Sequence, residues 1–106
     1  MFARLMGLKT ISPRELRDAS GITIFDVNSP QSWMSAHVPG AVQFNSEADL
    51  PADKSAALVF YCSNPLCRKA PNAAKRAKTL GYSDVRVMSA GISGWISAGL
   101  PTEAGA

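Results

Sequence analysis

Both cysteines of the chain fall within one stretch, Leu58 to Arg68, with the order Leu-Val-Phe-Tyr-Cys-Ser-Asn-Pro-Leu-Cys-Arg. A strand-like run of β-branched and aromatic residues leads straight into Cys62. The residues after it suit neither a strand nor a helix, and a basic, alanine-rich segment from Lys69 to Leu80 follows. Strand, short loop and helix in that order aim the loop's backbone N–H groups and the helix N-terminus at one point. An anion there is stabilised, and the nearest candidate is the sulfur of Cys62. Such a setting is expected to draw a thiol of ordinary pKa, ~8.5, down toward thiolate at neutral pH, provided that solvent reaches it. The stretch reads as a cradle for a nucleophile.

The elements that must position this loop are legible in the rest of the chain. With 106 residues, 46% hydrophobic and 18% charged, the sequence describes one globular domain, residues 1–106. Ser12, Pro13 and Glu15 form a capping box that opens a helix after a short strand at Thr10-Ile11. Ile22 to Val27 is a strand buried on both faces. Ser29 and Pro30 open a second helix, running to about Ala36. His37 to Gly40 is a turn, Ala41 to Phe44 a brief strand, and Ser46 to Asp53 holds one helical turn. Ala57 to Tyr61 feeds the loop. In the following helix Ala73, Ala74, Ala77 and Leu80 share one face, and Gly81 ends it. Asp84 to Met88 is the last strand and Gly91 to Ala98 the last helix. Alternating strands and helices imply an α/β, doubly wound, mainly parallel five-stranded sheet with helices on both faces. A reactive loop in such a fold belongs at the carboxyl end of a strand, where Cys62 stands.

Charge and composition narrow the chemistry. The net charge is only +3, but no acidic residue lies between Asp53 and Asp84, where Lys54, Arg68, Lys69, Lys75, Arg76 and Lys78 are found. The cysteine segment is thus cationic and concentrates small anions, while Lys75 and Lys78 read as a solvated helix face. No aromatic residues interleave with these charges, so nucleic acid is not an expected partner. No apolar run is long enough for a membrane span. Met1 to Leu8 is mildly apolar but broken by Arg4 and Gly7, so no signal peptide is expected and the chain is assigned to the cytoplasm. Two cysteines and the single His37 fall short of the roughly four ligands of a zinc site, so no metal is expected. Two close cysteines point instead to redox or sulfur chemistry.

At this point the residues resemble the rhodanese family of single-domain sulfurtransferases. Ile24-Phe25-Asp26-Val27 is similar to the family's first core strand, which ends in Asp-Val-Arg. Trp33 with His37-Val38-Pro39-Gly40-Ala41 resembles its Gly-His-Ile-Pro-Gly-Ala turn. Val59-Phe60-Tyr61-Cys62 resembles the strand entering the active-site loop, and Leu80-Gly81-Tyr82 the end of the next helix. Ala90 to Trp95 with Gly99-Leu100-Pro101 is similar to the closing Gly-Gly-x-x-x-Trp segment. Two departures stand out. Asn28 takes the place of the usual arginine. The loop has five residues between Cys62 and Arg68 rather than four, with Pro65 interrupting the donor ring. That spacing is similar to phosphatases and arsenate reductases of the same fold, and a longer loop makes a wider cradle, suited to a tetrahedral oxyanion.

The resemblance implies a Cys62 thiolate that takes sulfane sulfur from thiosulfate or a persulfide donor, holds it as a persulfide, and passes it to a thiophilic acceptor such as a thiol or a thioredoxin-like protein. No cofactor is required. Ser63, Asn64, Leu66 and Cys67 contribute backbone N–H groups to the small anionic substrate, and Arg68 holds it with its planar fork. Cys67 is either a resolving thiol, attacking an adduct on Cys62 to leave a disulfide, or a small inward-facing side chain. Asp26 reads as an acceptor for loop N–H groups, His37 as a turn-stabilising residue, Trp33 and Trp95 as packing residues. Gly40, Gly91 and Gly94 read as backbone punctuation. Two alternatives remain: an oxyanion enzyme (arsenate reductase or phosphatase) using Cys62 and Arg68, and a non-catalytic regulatory module, against which the retention of Cys62 and Arg68 argues.

Overall fold

A computed structural model describes residues 7–105; the first six residues of the mildly apolar Met1 to Leu8 stretch lie outside that range. The elements follow in strict alternation. They are β1 (Lys9–Thr10), α1 (Pro13–Asp18), β2 (Ile22–Asp26), α2 (Pro30–Ser35), β3 (Val42–Gln43), a 3-10 turn (Glu47–Asp49), β4 (Ala57–Tyr61), α3 (Lys69–Thr79), β5 (Asp84–Val87) and α4 (Gly91–Ser97). The five strands form one sheet in the order β1-β5-β4-β2-β3, every pair parallel.

The helix starts obey the local chemistry of their sequences. Ser12 accepts the Glu15 N–H while Glu15 accepts the Ser12 N–H, closing the capping box at α1. Ser29 accepts the Ser32 N–H at α2, with Pro30 in the first turn. Helix α3 ends in paired bonds from Gly81 N–H to Lys78 O and from Tyr82 N–H to Ala77 O, satisfying carbonyls the helix leaves open.

Strand β4 is the centre of the sheet and separates two cores. By the two-residue period of a strand, Leu58 and Phe60 face α3, where they meet Ala70, Ala74 and Ala77. Val59 and Tyr61 face the other way, toward Leu16 of α1 and Trp95 of α4. Helices therefore cover both faces. The α3 side is reinforced by Phe25, Phe44 and Phe60, whose ring centroids lie 5.2–5.4 Å apart. The same period carries Cys62 onto the α3 face, under the start of that helix.

One expectation about α3 changes. Ala74 and Ala77 are wholly buried, but Leu80 is 41% exposed. Leu80 is the cap, where the chain leaves the helix and the 3.6-residue period no longer applies; Tyr82 takes the inward position instead. The cationic gap is also less bare than the sequence implies, because Arg76 of α3 pairs with Glu47 from the 3-10 turn. Among the described residues no helix is long and apolar enough to cross a membrane.

Candidate active site

Cys62 is the first residue past β4, and its neighbours hold it from three sides. β4 lies between β2 and β5, so the ends of all three strands open onto the same edge. From the β2 end comes Asp26, fully buried, whose Oδ1 accepts the Asn28 N–H at 2.8 Å and whose Oδ2 accepts the Tyr61 hydroxyl at 2.6 Å. Tyr61 OH in turn accepts the Val38 N–H at 3.0 Å, tying the residue before Cys62 to the His37–Gly40 turn. Asp26 is thus an acceptor within the scaffold. Burial, its largest influence, pushes its carboxyl above the ordinary range, and the hydrogen bonds from Tyr61 and Asn28 offset part of that.

From the β5 end comes α4. Its first amides do not stay within the helix: Ile92 N–H donates to Cys62 O at 2.9 Å and Ser93 N–H to Ser63 O at 3.0 Å. Helix α4 therefore clasps the loop by its carbonyls, leaving the loop's N–H groups to face elsewhere. Gly91 makes this approach feasible, since a β-carbon there would lie 2.6 Å from Asn64 N and from Ser63 C.

The N–H groups divide in a way the sequence did not reveal. Asn64 shapes the turn, its Oδ1 accepting the Leu66 N–H at 2.9 Å and its carbonyl the Cys67 N–H at 3.1 Å. Leu66 and Cys67, expected to aim their amides at a substrate, spend them on Asn64, and the Leu66 side chain is 73% exposed. The amides that do reach sulfur are those of Ser63 and Ala70 at Cys62, and of Ser63 and Lys69 at Cys67. Lys69 and Ala70 are the first residues of α3, so the helix N-terminus supplies part of the cradle. Ser63 also donates its hydroxyl to Asn28 Oδ1 at 2.8 Å, and Asn28 is buried where the family's arginine would stand. Arg68 is exposed and forms the N-cap of α3, its carbonyl accepting the Asn72 N–H.

Cys62 is 3% exposed, and its thiol, expected to be lowered, is pushed up to about 12. Burial is the main cause, and the hydrogen bond and charge of Cys67 add to it. The Ala70 and Ser63 amides pull the other way and lose. Cys67 is half-buried and shifts downward. Burial opposes that shift, but the Cys62 hydrogen bond, the Lys69 and Ser63 amides and the Lys69 charge together outweigh it. The two sulfurs are neighbours and act on each other's titration, Cys67 holding the Cys62 thiol up and Cys62 holding the Cys67 thiol down. The two thiols therefore titrate as a pair, with Cys67 the member shifted toward the thiolate and Cys62 the member shifted away from it. The dipoles expected to ionise Cys62 act on the pair.

His37 lies outside this chemistry. Its Nδ1 is 2.9 Å from Trp33 O, its ring stacks on Trp33 at 3.6 Å, and its backbone pairs with Glu103. Trp95 is buried and donates its indole N–H to Pro101 O. An open groove of about 560 Å³ runs between the 3-10 turn and α3, past Leu50 and Ala73, but no residue from 62 to 68 lines it.

The model of the rhodanese-like domain matches residues 12–98, from the α1 cap to the end of α4. The chain belongs to the rhodanese-like domain family. It is 34% identical over 98 residues to a probable adenylyltransferase/sulfurtransferase, MoeZ, of Mycobacterium tuberculosis, covering 81% of this chain and 24% of that protein. It is 31% identical over 96 residues to an HTH-type transcriptional regulator of the same organism, Rv0324, covering 85% of this chain and 41% of the regulator. This rhodanese-like chain therefore spans less than half the length of either relative. A thiosulfate sulfurtransferase of Pseudomonas aeruginosa superposes with a TM-score of 0.76 at 26% identity, over 92% of this chain and 20% of that one.

Proposed function

We propose that this rhodanese-like domain is a sulfurtransferase that carries sulfane sulfur as a persulfide on Cys62. One observation supports the reading above the others: the Ser63, Lys69 and Ala70 amides are directed at the two sulfur atoms. Leu66 and Cys67 amides are spent on Asn64, and Pro65 has none to give. That count weighs against a tetrahedral oxyanion, which needs a ring of inward donors.

The chemistry follows from the dithiol. An anionic donor, thiosulfate or a persulfide, is drawn to the cationic start of α3. Cys62 sulfur attacks the donor's outer sulfur; the S–S bond breaks and sulfite, or a thiolate, leaves with the electron pair. The Cys62 proton passes to the Cys67 thiolate, already its hydrogen-bond partner. A persulfide is a stronger acid than a thiol, so charge on the new group is met by the Ser63 and Ala70 amides. A thiol or a thioredoxin-like protein then accepts the sulfur.

The test is sulfur transfer from thiosulfate to cyanide by the wild type and by Cys62→Ser. The variant is expected to lose transfer entirely and to acquire no extra sulfur by mass spectrometry. Transfer that survives the serine overturns the reading.

A further inference from the structure

A second thiol neighbours the first, and in the sulfur-carrying reaction it does no more than take up a proton. Cys67 packs against the core cluster that contains Cys62. Its position is set by the turn at Asn64, which brings the chain back through the Cys67 N–H to Asn64 O bond at 3.1 Å. The Ser63 N–H serves both sulfurs, so the two atoms share one cradle.

We propose that Cys67 is a resolving thiol that converts the Cys62 persulfide into a Cys62–Cys67 disulfide with release of hydrosulfide, giving the domain a sulfide-releasing reductase activity. This rests on the sulfurtransferase reading above. Before substrate arrives, the thiol neighbouring Cys67 in this cluster is that of Cys62, whose sulfur is the inner atom of the later persulfide. Cys67 is therefore placed beside the atom whose attack expels the outer sulfur, and the disulfide forms when the two sulfurs close to bonding distance, ~2.0 Å. Attack at the outer atom would merely pass the sulfur along.

In the step, the Cys67 sulfur forms a bond to the inner sulfur, and the bond between inner and outer sulfur breaks. The outer sulfur leaves with that electron pair and takes up the Cys67 proton, departing as HS⁻. The two cysteines together lose two electrons, and the sulfane sulfur gains them. A dithiol reductant then restores both thiols by exchange, and a good leaving group of low pKa favours the forward direction.

The experiment is a single turnover without air. Fully reduced protein, freed of reductant, receives one equivalent of thiosulfate, with neither cyanide nor external thiol present. The wild type is expected to release sulfite and then sulfide, and to become two hydrogens lighter, with peptide mapping locating a Cys62–Cys67 disulfide. Cys67→Ser, and Cys67→Ala as a second variant, are expected to release sulfite more slowly, having lost the group that takes the Cys62 proton, but still to gain one sulfur on Cys62 and to keep it, with no sulfide released until a dithiol is added. If the wild type instead keeps the extra sulfur as stably as Cys67→Ser, or carries it on Cys67, the resolving role is overturned while sulfur transfer stands. If neither protein releases sulfite or gains sulfur, the sulfurtransferase reading fails and this inference with it.

Discussion

Gly91, the first residue of α4, presses its bare α-carbon against the peptide joining Ser63 to Asn64. A β-carbon at this position would sit 2.6 Å from the Asn64 nitrogen, closer than any relaxed contact, and the residue holds φ +68°. The glycine read from sequence as punctuation is therefore the seat of the loop. Gly91→Ala is expected to cost about 1–3 kcal/mol for backbone conformation alone, and about as much again because the backbone it meets cannot swing away. Gly99 has a similar φ of +77° and open space beside it, so Gly99→Ala carries only the first cost. Denaturant unfolding of the two variants separates the effects. Equal losses would mean that α4 does not brace the loop.

The Tyr61 hydroxyl links two buried partners, the Asp26 carboxyl and the Val38 N–H. It donates to Asp26 Oδ2 and accepts from the Val38 N–H. Tyr61→Phe keeps the ring and its packing but leaves a buried carboxyl oxygen and a buried N–H unpaired, at about 1–3 kcal/mol each for full desolvation. The expected result is a loss of about 2–6 kcal/mol by chemical denaturation, the two costs together, with sulfur transfer reduced because the bonds to Asp26 and Val38 hold Tyr61, the residue before Cys62. Undiminished stability would show that solvent reaches these groups.

Much of this architecture is written locally. The capping box at Ser12, the Ser29-Pro30 start and the Gly81 stop each follow from neighbours within a few residues, and they leave little choice for the strands between them. The position of Cys62 past β4 follows from the same pattern. What could not be read is the allocation of donors and protons within the loop. The Asn64 side chain decides that Leu66 loses its amide to the turn. The depth of Cys62 is set by α3 packing through Ala70, Ala74 and Ala77, residues whose reach depends on tertiary contact. A helix N-terminus and its amides favour a thiolate, and burial disfavours one; the sequence carries the first signal but no measure of the second. A tyrosine closing a buried strand was an available cue that its hydroxyl needs a partner.

Asp26 makes acid stability a measurable property. Burial raises its carboxyl above the ordinary 3.8. Between that value and the raised one, the folded state holds a proton the unfolded state has lost, so stability falls as pH rises through this window. The contribution is complete below 3.8 and gone once the folded carboxyl ionises. Asp26→Asn has no such proton. The stability of wild type minus that of Asp26→Asn, from denaturant melts between about pH 3.5 and about pH 6, is expected to decline with rising pH. A difference that stays level, or grows, contradicts the buried, raised carboxyl.

The dithiol makes paired predictions, because one hydrogen bond acts on both sulfurs. In the wild type, iodoacetamide near neutrality is expected to modify Cys67 ahead of Cys62, since Cys67 is the less buried thiol and is shifted downward while Cys62 is held up at about 12. Cys67→Ser removes a neighbouring negative charge that favours the protonated Cys62, so the Cys62 alkylation profile moves to lower pH. It still lies above an ordinary thiol, because burial, the larger cause, is untouched. Cys62→Ala has the opposite sign: Cys67 loses the side-chain donor that favours its thiolate, and its profile moves to higher pH. Rates of alkylation against pH, followed by peptide mass, read both shifts. If either substitution leaves the other cysteine's profile where it was, the sulfurs do not share a proton, and Cys67 is a bystander in the loop.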